Sequence, residues 1–178
     1  INFGINKSKG EIIYLLHSDD EIISKNLLNN VNLTFNKKKN IDFVYGDCNI
    51  VERLNTNRVI RNWKSKQFVN KENFETNLPA HTTFFIKKSI FKKFNYDTSF
   101  TISSDYDFLI KLFKNYNGKY LSKFFIKMRT GGKSSILGNF KIKMVEDLKI
   151  LKKYYKYNFF IIYCIKLIFK LKQKITFL

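Results

Sequence analysis

Two short acidic clusters contain the residues whose types and spacing best suit chemistry. The first, His17-Ser18-Asp19-Asp20, follows the apolar run of residues 11–16. Such a run predicts a buried, parallel strand, and open α/β sheets bind ligands beyond the carboxyl ends of their strands. Asp19 and Asp20 are therefore candidate ligands for a divalent cation, which takes one or two carboxylates together with the phosphates of a diphosphate substrate.

The first cluster also has a structural interpretation. Ser18 and Glu21 precede a helical apolar pattern and fit a capping box, with Asp19 and Asp20 suited to the first helical turn. His17 could contact a ligand or could be a hydrogen-bonded structural residue at a strand end. The residue pattern by itself leaves both interpretations open.

The second cluster, Ser103-Ser104-Asp105-Tyr106-Asp107, lies at the predicted N-terminus of a helix that runs to Asn115. A carboxylate held there could accept a proton from an attacking hydroxyl. Alternatively, Ser104 or Asp105 caps the helix and Asp107 is favoured by the helix dipole. Asp105 and Asp107 are two residues apart, so they cannot share a helix face and their environments must differ.

Two other segments place polar groups near strand ends. The segment from Arg129 through Lys133 to Ser134 contains two glycines and predicts either a phosphate-contacting loop or an ordinary glycine turn. It is not a Walker A motif, because the first glycine of that motif would fall at Lys127. His81, at the start of a β-rich segment, fits a binding site and a strand edge equally well.

Alternating strands and helices must position these groups. Strands are predicted at residues 11–16, 42–46, 81–86 and 120–128, helices from residue 22 and at 88–94 and 104–115, and a polar hairpin across 49–52 and 58–62. This alternation predicts an α/β fold with a mixed or parallel sheet rather than a bundle or sandwich.

The chain changes character near residue 139, which divides it into a domain at 1–138 and a tail at 139–178. Seven lysines between residues 149 and 174 share one arc of a helical wheel, opposite apolar residues. This pattern predicts a basic amphipathic helix, or two helices broken near Asn158. The tail could lie on an anionic membrane surface, or it could pack on the domain or on a partner.

Composition limits the possible classes of protein. The 178 residues suffice for one domain, and 33 Lys and Arg against 14 Asp and Glu give a net charge of +19 that attracts phosphates. A Lys-rich compositional bias explains part of this charge, and no nucleic-acid-binding motif is present, so no nucleic acid partner is predicted. Cys48 and Cys164 are far apart, which argues against a disulfide framework or a zinc site.

Six stretches of the chain, taken in order, resemble the family 2 glycosyltransferases, whose GT-A fold is an α/β sandwich that binds nucleotide sugars. They cover residues 1 to about 135, and the likeness is to bacterial members that build surface polysaccharides. The stretches are Asn2-Phe3-Gly4-Ile5 through Ile13, Leu16-His17-Ser18-Asp19-Asp20, Val44-Tyr45-Gly46-Asp47, Leu78-Pro79-Ala80-His81-Thr82-Thr83-Phe84, Ser104-Asp105-Tyr106-Asp107-Phe108-Leu109 and Gly131-Gly132-Lys133-Ser134-Ser135.

This resemblance implies a GT-A-type, mostly parallel sheet flanked by helices, incomplete at its N-terminus. It implies transfer of a sugar, with inversion, from a nucleotide-sugar donor to a saccharide or lipid-linked acceptor. Asp19, with Asp20 beside it, would hold Mn²⁺ or Mg²⁺ against the donor diphosphate, and Asp105 would be the catalytic base. The other candidates are Arg129 and Lys133 for the diphosphate, and His17, His81 and Asp107 for the acceptor side.

Two features depart from the family pattern. His17 occupies the first position of the family's metal-binding motif, so that motif is degenerate here. Family members begin with a strand and a loop that bind the nucleobase, and no such segment precedes the first of the quoted stretches. The sequence therefore predicts an N-terminally truncated fragment that is inactive as it stands.

The tail completes the prediction with a location. Its longest uncharged apolar run, residues 159–165, is shorter than the ~20 residues that cross a bilayer. Residues 149–174 are expected to dock on an anionic leaflet, which predicts a cytoplasmic protein peripheral to the inner face of the plasma membrane. The alternative for the whole chain is a non-catalytic basic module that binds membranes or polyanions on a glycosyltransferase-like scaffold.

Overall fold

The computed structural model describes residues 1–68, 74–131 and 137–175. The strands are β1 (Ile12–Tyr14), β2 (Asp20–Ile22), β3 (Phe43–Val51), β4 (Val59–Trp63), β5 (Phe85–Lys87) and β6 (Gly118–Arg129). The helices are α1 (Asn2–Lys7), α2 (Leu27–Lys37), α3 (Lys88–Phe91), α4 (Ser104–Asn115), α5 (Leu137–Tyr155) and α6 (Phe159–Ile175). Short 3-10 turns occupy Phe74–Thr76 and His81–Thr83.

Within the described ranges, the six strands form one curled, mixed sheet in the order β1-β5-β3-β6-β2, with β4 also paired to β3. Strands β3 and β6 run parallel, whereas the other described pairs run antiparallel. The predicted α/β class is confirmed, but the prediction of a mostly parallel sheet is wrong for these strands, β1 included. An apolar run indicates that a strand is buried and says nothing about the direction of its neighbour.

Local predictions succeed where one segment fixes its own structure. The polar hairpin is confirmed, because β3 and β4 pair with Cys48 opposite Trp63 and Ile50 opposite Arg61. Helix α4 begins and ends where its apolar periodicity predicts. Helix α2 begins at Leu27 rather than at Ile22, because residues 20–22 pair with β6 and their backbone groups are committed to the sheet.

Helices cover both faces of the sheet. One face presents Phe43 and Tyr45 to helix α4 and the tail, and Phe113 of α4 meets the Phe43 ring edge-on at a centroid distance of 5.0 Å. The other face presents Val44 and Phe85 to helix α2. Offset and edge-on aromatic pairs of this kind stabilise a core beyond their buried area. The buried phenylalanines, among them Phe43, Phe85 and Phe113, therefore serve packing.

The tail folds back on the domain as two helices. The chain breaks at Lys156, which has a positive φ of 34°, and this confirms the break predicted near Asn158. Ile150 and Leu151 are fully buried in the main core. In the part of the chain that the structure describes, no helix has the length and apolarity needed to cross a membrane. The predicted boundary near residue 139 stays a prediction.

Asp107 joins helix α4 to the tail. Its carboxylate is fully buried and accepts hydrogen bonds from the Tyr154 hydroxyl at 2.8 Å and from Lys153 Nζ at 3.2 Å. The Lys111 ammonium group forms an ion pair with the second oxygen at 2.6 Å. A buried carboxylate with this many partners links packed elements, so Asp107 has a structural role here.

We expect the Asp107→Asn substitution to lower the free energy of unfolding by about 1–2 kcal/mol, because charge-assisted hydrogen bonds become neutral ones. Urea unfolding would measure the loss, with Asp97→Asn on the surface as the control. An unchanged unfolding midpoint in the Asp107 variant would show that the contacts to the tail contribute nothing.

Candidate active site

Two histidines from different segments meet at the end of the sheet. His17 lies in the connection between β1 and β2, and His81 begins the 3-10 turn before β5. Their rings are edge-on at a centroid distance of 6.0 Å. His81 Nε2 is hydrogen-bonded to the Tyr96 hydroxyl at 2.7 Å. Segments far apart in the sequence thus place two imidazoles and a phenol together.

Burial and charge set the protonation of this group. Burial lowers the pKa of His81, the nearby Asp105 carboxylate opposes this effect, and His17 adds to it. Burial, reinforced by Asp105, raises the pKa of Tyr96, so the phenol keeps its proton. Near neutral pH His81 is therefore an uncharged imidazole, able to exchange a hydrogen bond with a polar ligand.

Asp105 lies in the first turn of α4, electrostatically coupled to His81 and Tyr96. Its Oδ1 atom accepts a hydrogen bond from the Tyr106 backbone N–H at 2.8 Å. The predicted capping role for Ser104 or Asp105 is wrong, because Ser103 occupies the cap position and makes no side-chain cap bond. Asp105 is half-buried and can accept a proton from a bound hydroxyl.

Two acidic residues of the tail hold the segment that leads into Asp105. The Glu146 carboxylate accepts the backbone N–H groups of Thr101, Ile102 and Ser103 at 2.8, 2.9 and 2.8 Å. Although desolvation opposes ionisation, these three donors lower the pKa of Glu146. Asp147 accepts the Ser103 hydroxyl at 2.7 Å. The position of Asp105 therefore depends on helix α5.

Sequence reasoning missed Glu146 and Asp147 as site-supporting residues, although a signal was present. They are the two acidic residues between positions 140 and 178, a range that contains ten lysines. An isolated acidic pair in a basic segment suggests specific partners for its charges. Tyr96, which contacts His81, carried no comparable signal.

Asp20 is the second carboxylate of the site. It begins β2 opposite Met128, and both of its carboxylate oxygens are buried without a side-chain hydrogen-bond partner in the described residues. Burial raises its pKa, the nearby His17 opposes this, and Asp19 adds to it. The capping-box interpretation is wrong, because residues 20–22 are a strand and helix α2 begins at Leu27.

Other unsatisfied polar groups share this side of the sheet. Cys48 interacts electrostatically with Asp20 and Arg61, and its thiol contacts Thr82. The Arg61 Nε atom is also buried without a hydrogen-bond partner within the described ranges. Burial raises the pKa of Cys48 to about 12, so its sulfur stays a neutral thiol and is a poor metal ligand. The oxygen atoms of Asp20 are the better donors.

The donor set fits a hard divalent cation that is also bound by its substrate. Carboxylate oxygens are the ligands that Mg²⁺ and Mn²⁺ prefer, and Asp19 lies next to Asp20. No cluster of three or more His, Cys, Asp or Glu side chains suited to a metal occurs in residues 1–68, 74–131 and 137–175.

The structure places four of the predicted residues near one another. The His17 and His81 rings lie edge-on at a centroid distance of 6.0 Å, Asp20 interacts electrostatically with His17, and Asp105 interacts electrostatically with His81. Arg129 is exposed at the end of β6, next to the Met128 that pairs with Asp20. Lys133 lies outside the described residues. Asp107 is not part of this group, because its buried carboxylate binds Lys153 and Tyr154 of the tail.

In comparisons with known proteins, no family model matches the chain and no curated protein sequence matches it.

Proposed function

We propose that the chain is a glycosyltransferase domain of the GT-A type, which moves a sugar from a nucleotide-sugar donor to a saccharide or lipid-linked hydroxyl acceptor. One observation carries the proposal: the His17 and His81 rings lie edge-on at a centroid distance of 6.0 Å, and Asp20 interacts electrostatically with His17 and Asp105 with His81. The group contains a cation ligand and a proton acceptor, which are the two functions that this reaction requires.

Asp105 is the base in this proposal. It removes the proton from the acceptor hydroxyl as the oxygen attacks the anomeric carbon, and a single displacement inverts that carbon. The half-buried position of Asp105 limits its hydration, and its contact with the Tyr106 backbone N–H fixes one carboxylate oxygen. A held base of this kind accelerates proton removal because it needs no reorientation.

Asp19 and Asp20 are the proposed ligands for Mn²⁺ or Mg²⁺. The bound metal would neutralise the charge that develops on the leaving diphosphate. Arg129, exposed near Asp20, and Lys133 would add cationic contacts to the same phosphates. His17 and the uncharged His81 would face the acceptor, where a neutral imidazole can hydrogen-bond a sugar hydroxyl.

The proposed location is cytoplasmic and peripheral, on the inner face of the plasma membrane. A lipid-linked acceptor would be presented at that surface. Helix α5, the first of the two tail helices, also holds the segment before Asp105 in place through Glu146.

Metal-dependent binding of nucleoside diphosphates tests the proposal. The Asp20→Asn substitution is expected to weaken binding in Mn²⁺ at least about tenfold, because it removes an anionic metal ligand. The same substitution should raise the melting temperature. Burial raises the pKa of Asp20, so its ionised form costs stability above that pKa, and asparagine removes this cost.

Isothermal titration of a panel of nucleoside diphosphates, in Mn²⁺ and in EDTA, measures the effect. Glu21→Gln is the matched control, because Glu21 is the exposed neighbour in the same strand. Polyanion binding that is insensitive to EDTA and to Asp20→Asn would instead favour the non-catalytic basic module.

A further inference from the structure

The outer face of helix α6 (Phe159–Ile175) is apolar and exposed. Phe160, Ile161, Ile168 and Leu171 expose 60%, 60%, 52% and 59% of their surface. Helical spacing places these four residues on one side of the helix. Contiguous exposed apolar surface of this kind marks an interaction site in a folded protein.

The opposite side of α6 already has its partners within the domain. Ile162 and Tyr163 are each 8% exposed and belong to the main core. Lys166 donates to Asp147 at 2.8 Å and lies 3.3 Å from the centroid of the Tyr106 ring. The prediction that Lys166 belongs to an exposed basic face is therefore wrong, because its side chain points inward. The apolar outer face is not needed to hold α6 on the domain.

The exposed charge around this face is positive. The acidic residues of the tail, Glu146 and Asp147, are only 8% and 3% exposed and bind groups of the domain. Exposed lysines lie on the described parts of α5 and α6, among them Lys141, Lys149, Lys152 and Lys172. An apolar strip accompanied by lysines is complementary to acyl chains beneath anionic headgroups.

We propose that the outer face of α6 docks on an anionic lipid bilayer, with its apolar side chains in the interface and the lysines at lipid phosphates. A second copy of the chain fits less well, because it would bring the same lysine-rich tail into contact and like charges repel. The inference rests on the proposed function only in assigning the inner face of the plasma membrane. Binding to the bilayer itself requires no donor, metal or acceptor.

Vesicle flotation of the full chain tests the proposal. Wild type is expected to bind vesicles of phosphatidylglycerol and phosphatidylcholine, to bind phosphatidylcholine alone weakly, and to dissociate as salt is raised. The double substitution Ile161→Ser/Ile168→Ser should reduce partitioning into vesicles at least about tenfold. It removes two apolar side chains that would insert into the bilayer and leaves the charge of the protein unchanged.

The matched control is Leu54→Ser/Ile60→Ser, which makes the same chemical change at residues that are 97% and 44% exposed near the β3–β4 hairpin. It should bind vesicles as wild type does. A second double variant on the α6 face, Phe160→Ser/Leu171→Ser, should lose vesicle binding in the same way. Agreement between the two α6 variants would show that the loss is not caused by local misfolding of the first.

Wild-type binding that lacks a preference for anionic vesicles, or is retained by both α6 variants, would overturn the proposal. A concentration-dependent dimer that both α6 variants abolish, without vesicle binding by wild type, would assign the face to a second copy. Failure of sugar transfer with intact vesicle binding would count against the proposed enzyme alone.

Discussion

Replacement of Asp105 by asparagine is expected to abolish sugar transfer while sparing donor binding. Asparagine is nearly the same size and can still accept the Tyr106 backbone N–H bond, but it cannot take a proton from the acceptor hydroxyl. Loss of a positioned general base costs about 10²–10⁴-fold in rate. The donor contacts proposed for Asp19 and Asp20 would remain.

Two measurements separate these effects. A sugar-transfer assay gives kcat, and titration with the nucleoside diphosphate gives donor affinity. Asp97→Asn is the control, since Asp97 contacts Ser99 on the surface loop before α4 and has no proposed role in the reaction. Full transfer activity in the Asp105 variant would rule out this residue as the base.

The second large effect is expected at Glu146. The Glu146→Gln substitution should lower the free energy of unfolding by about 3 kcal/mol, because one amide oxygen cannot replace two carboxylate oxygens for three buried or half-buried N–H donors. It should also lower kcat at temperatures where the variant is folded, with donor affinity unchanged. Glu146 would then be a positioning residue that acts through Asp105.

The Glu146 effect should depend on pH in one direction. Its pKa is lowered in the folded protein, so its contribution is full above the unfolded value near 4.5 and is lost as pH falls through the folded value. The stability difference between wild type and Glu146→Gln should therefore narrow below about pH 4.5. Glu52→Gln, which disrupts only an exposed pair with Arg58, is the control.

A stability loss with unchanged kcat would mean that Glu146 supports the fold without setting the position of Asp105. An unchanged stability in Glu146→Gln would show that the three backbone donors find other partners, such as water. These two results are distinguishable because unfolding and transfer are measured separately.

Secondary structure was predictable where a segment's own periodicity decides it. The spacing of the apolar residues in Ser104–Asn115 predicts helix α4, and the polar segments on either side of residues 53–57 predict the β3–β4 hairpin. The sequence misplaced the start of α2 and the direction of β1, because both depend on a partner strand distant in the chain. Local propensity carries no information about such a partner.

The candidate site was predictable in its residues and only partly in its arrangement. His17 and Asp20 come from one segment and His81 and Asp105 from two others, and no spacing rule brings these three segments together. The curled sheet and the turn before β5 do so. Asp107 was a candidate site residue because it lies close to Asp105 in the sequence. In the structure its side chain faces the tail, where it accepts a hydrogen bond from Tyr154.

Residue type and spacing by themselves determined the α/β class, the amphipathic helices, the break in the tail and the two carboxylate clusters, because each is a property of a short segment. Tertiary structure alone decided the antiparallel pairing of β1 and β2, the inward side of α6 and the hold of Glu146 on the segment before Asp105. These features arise where distant segments compete for the same hydrogen-bonding groups and the same buried surface. Only the packed chain resolves that competition.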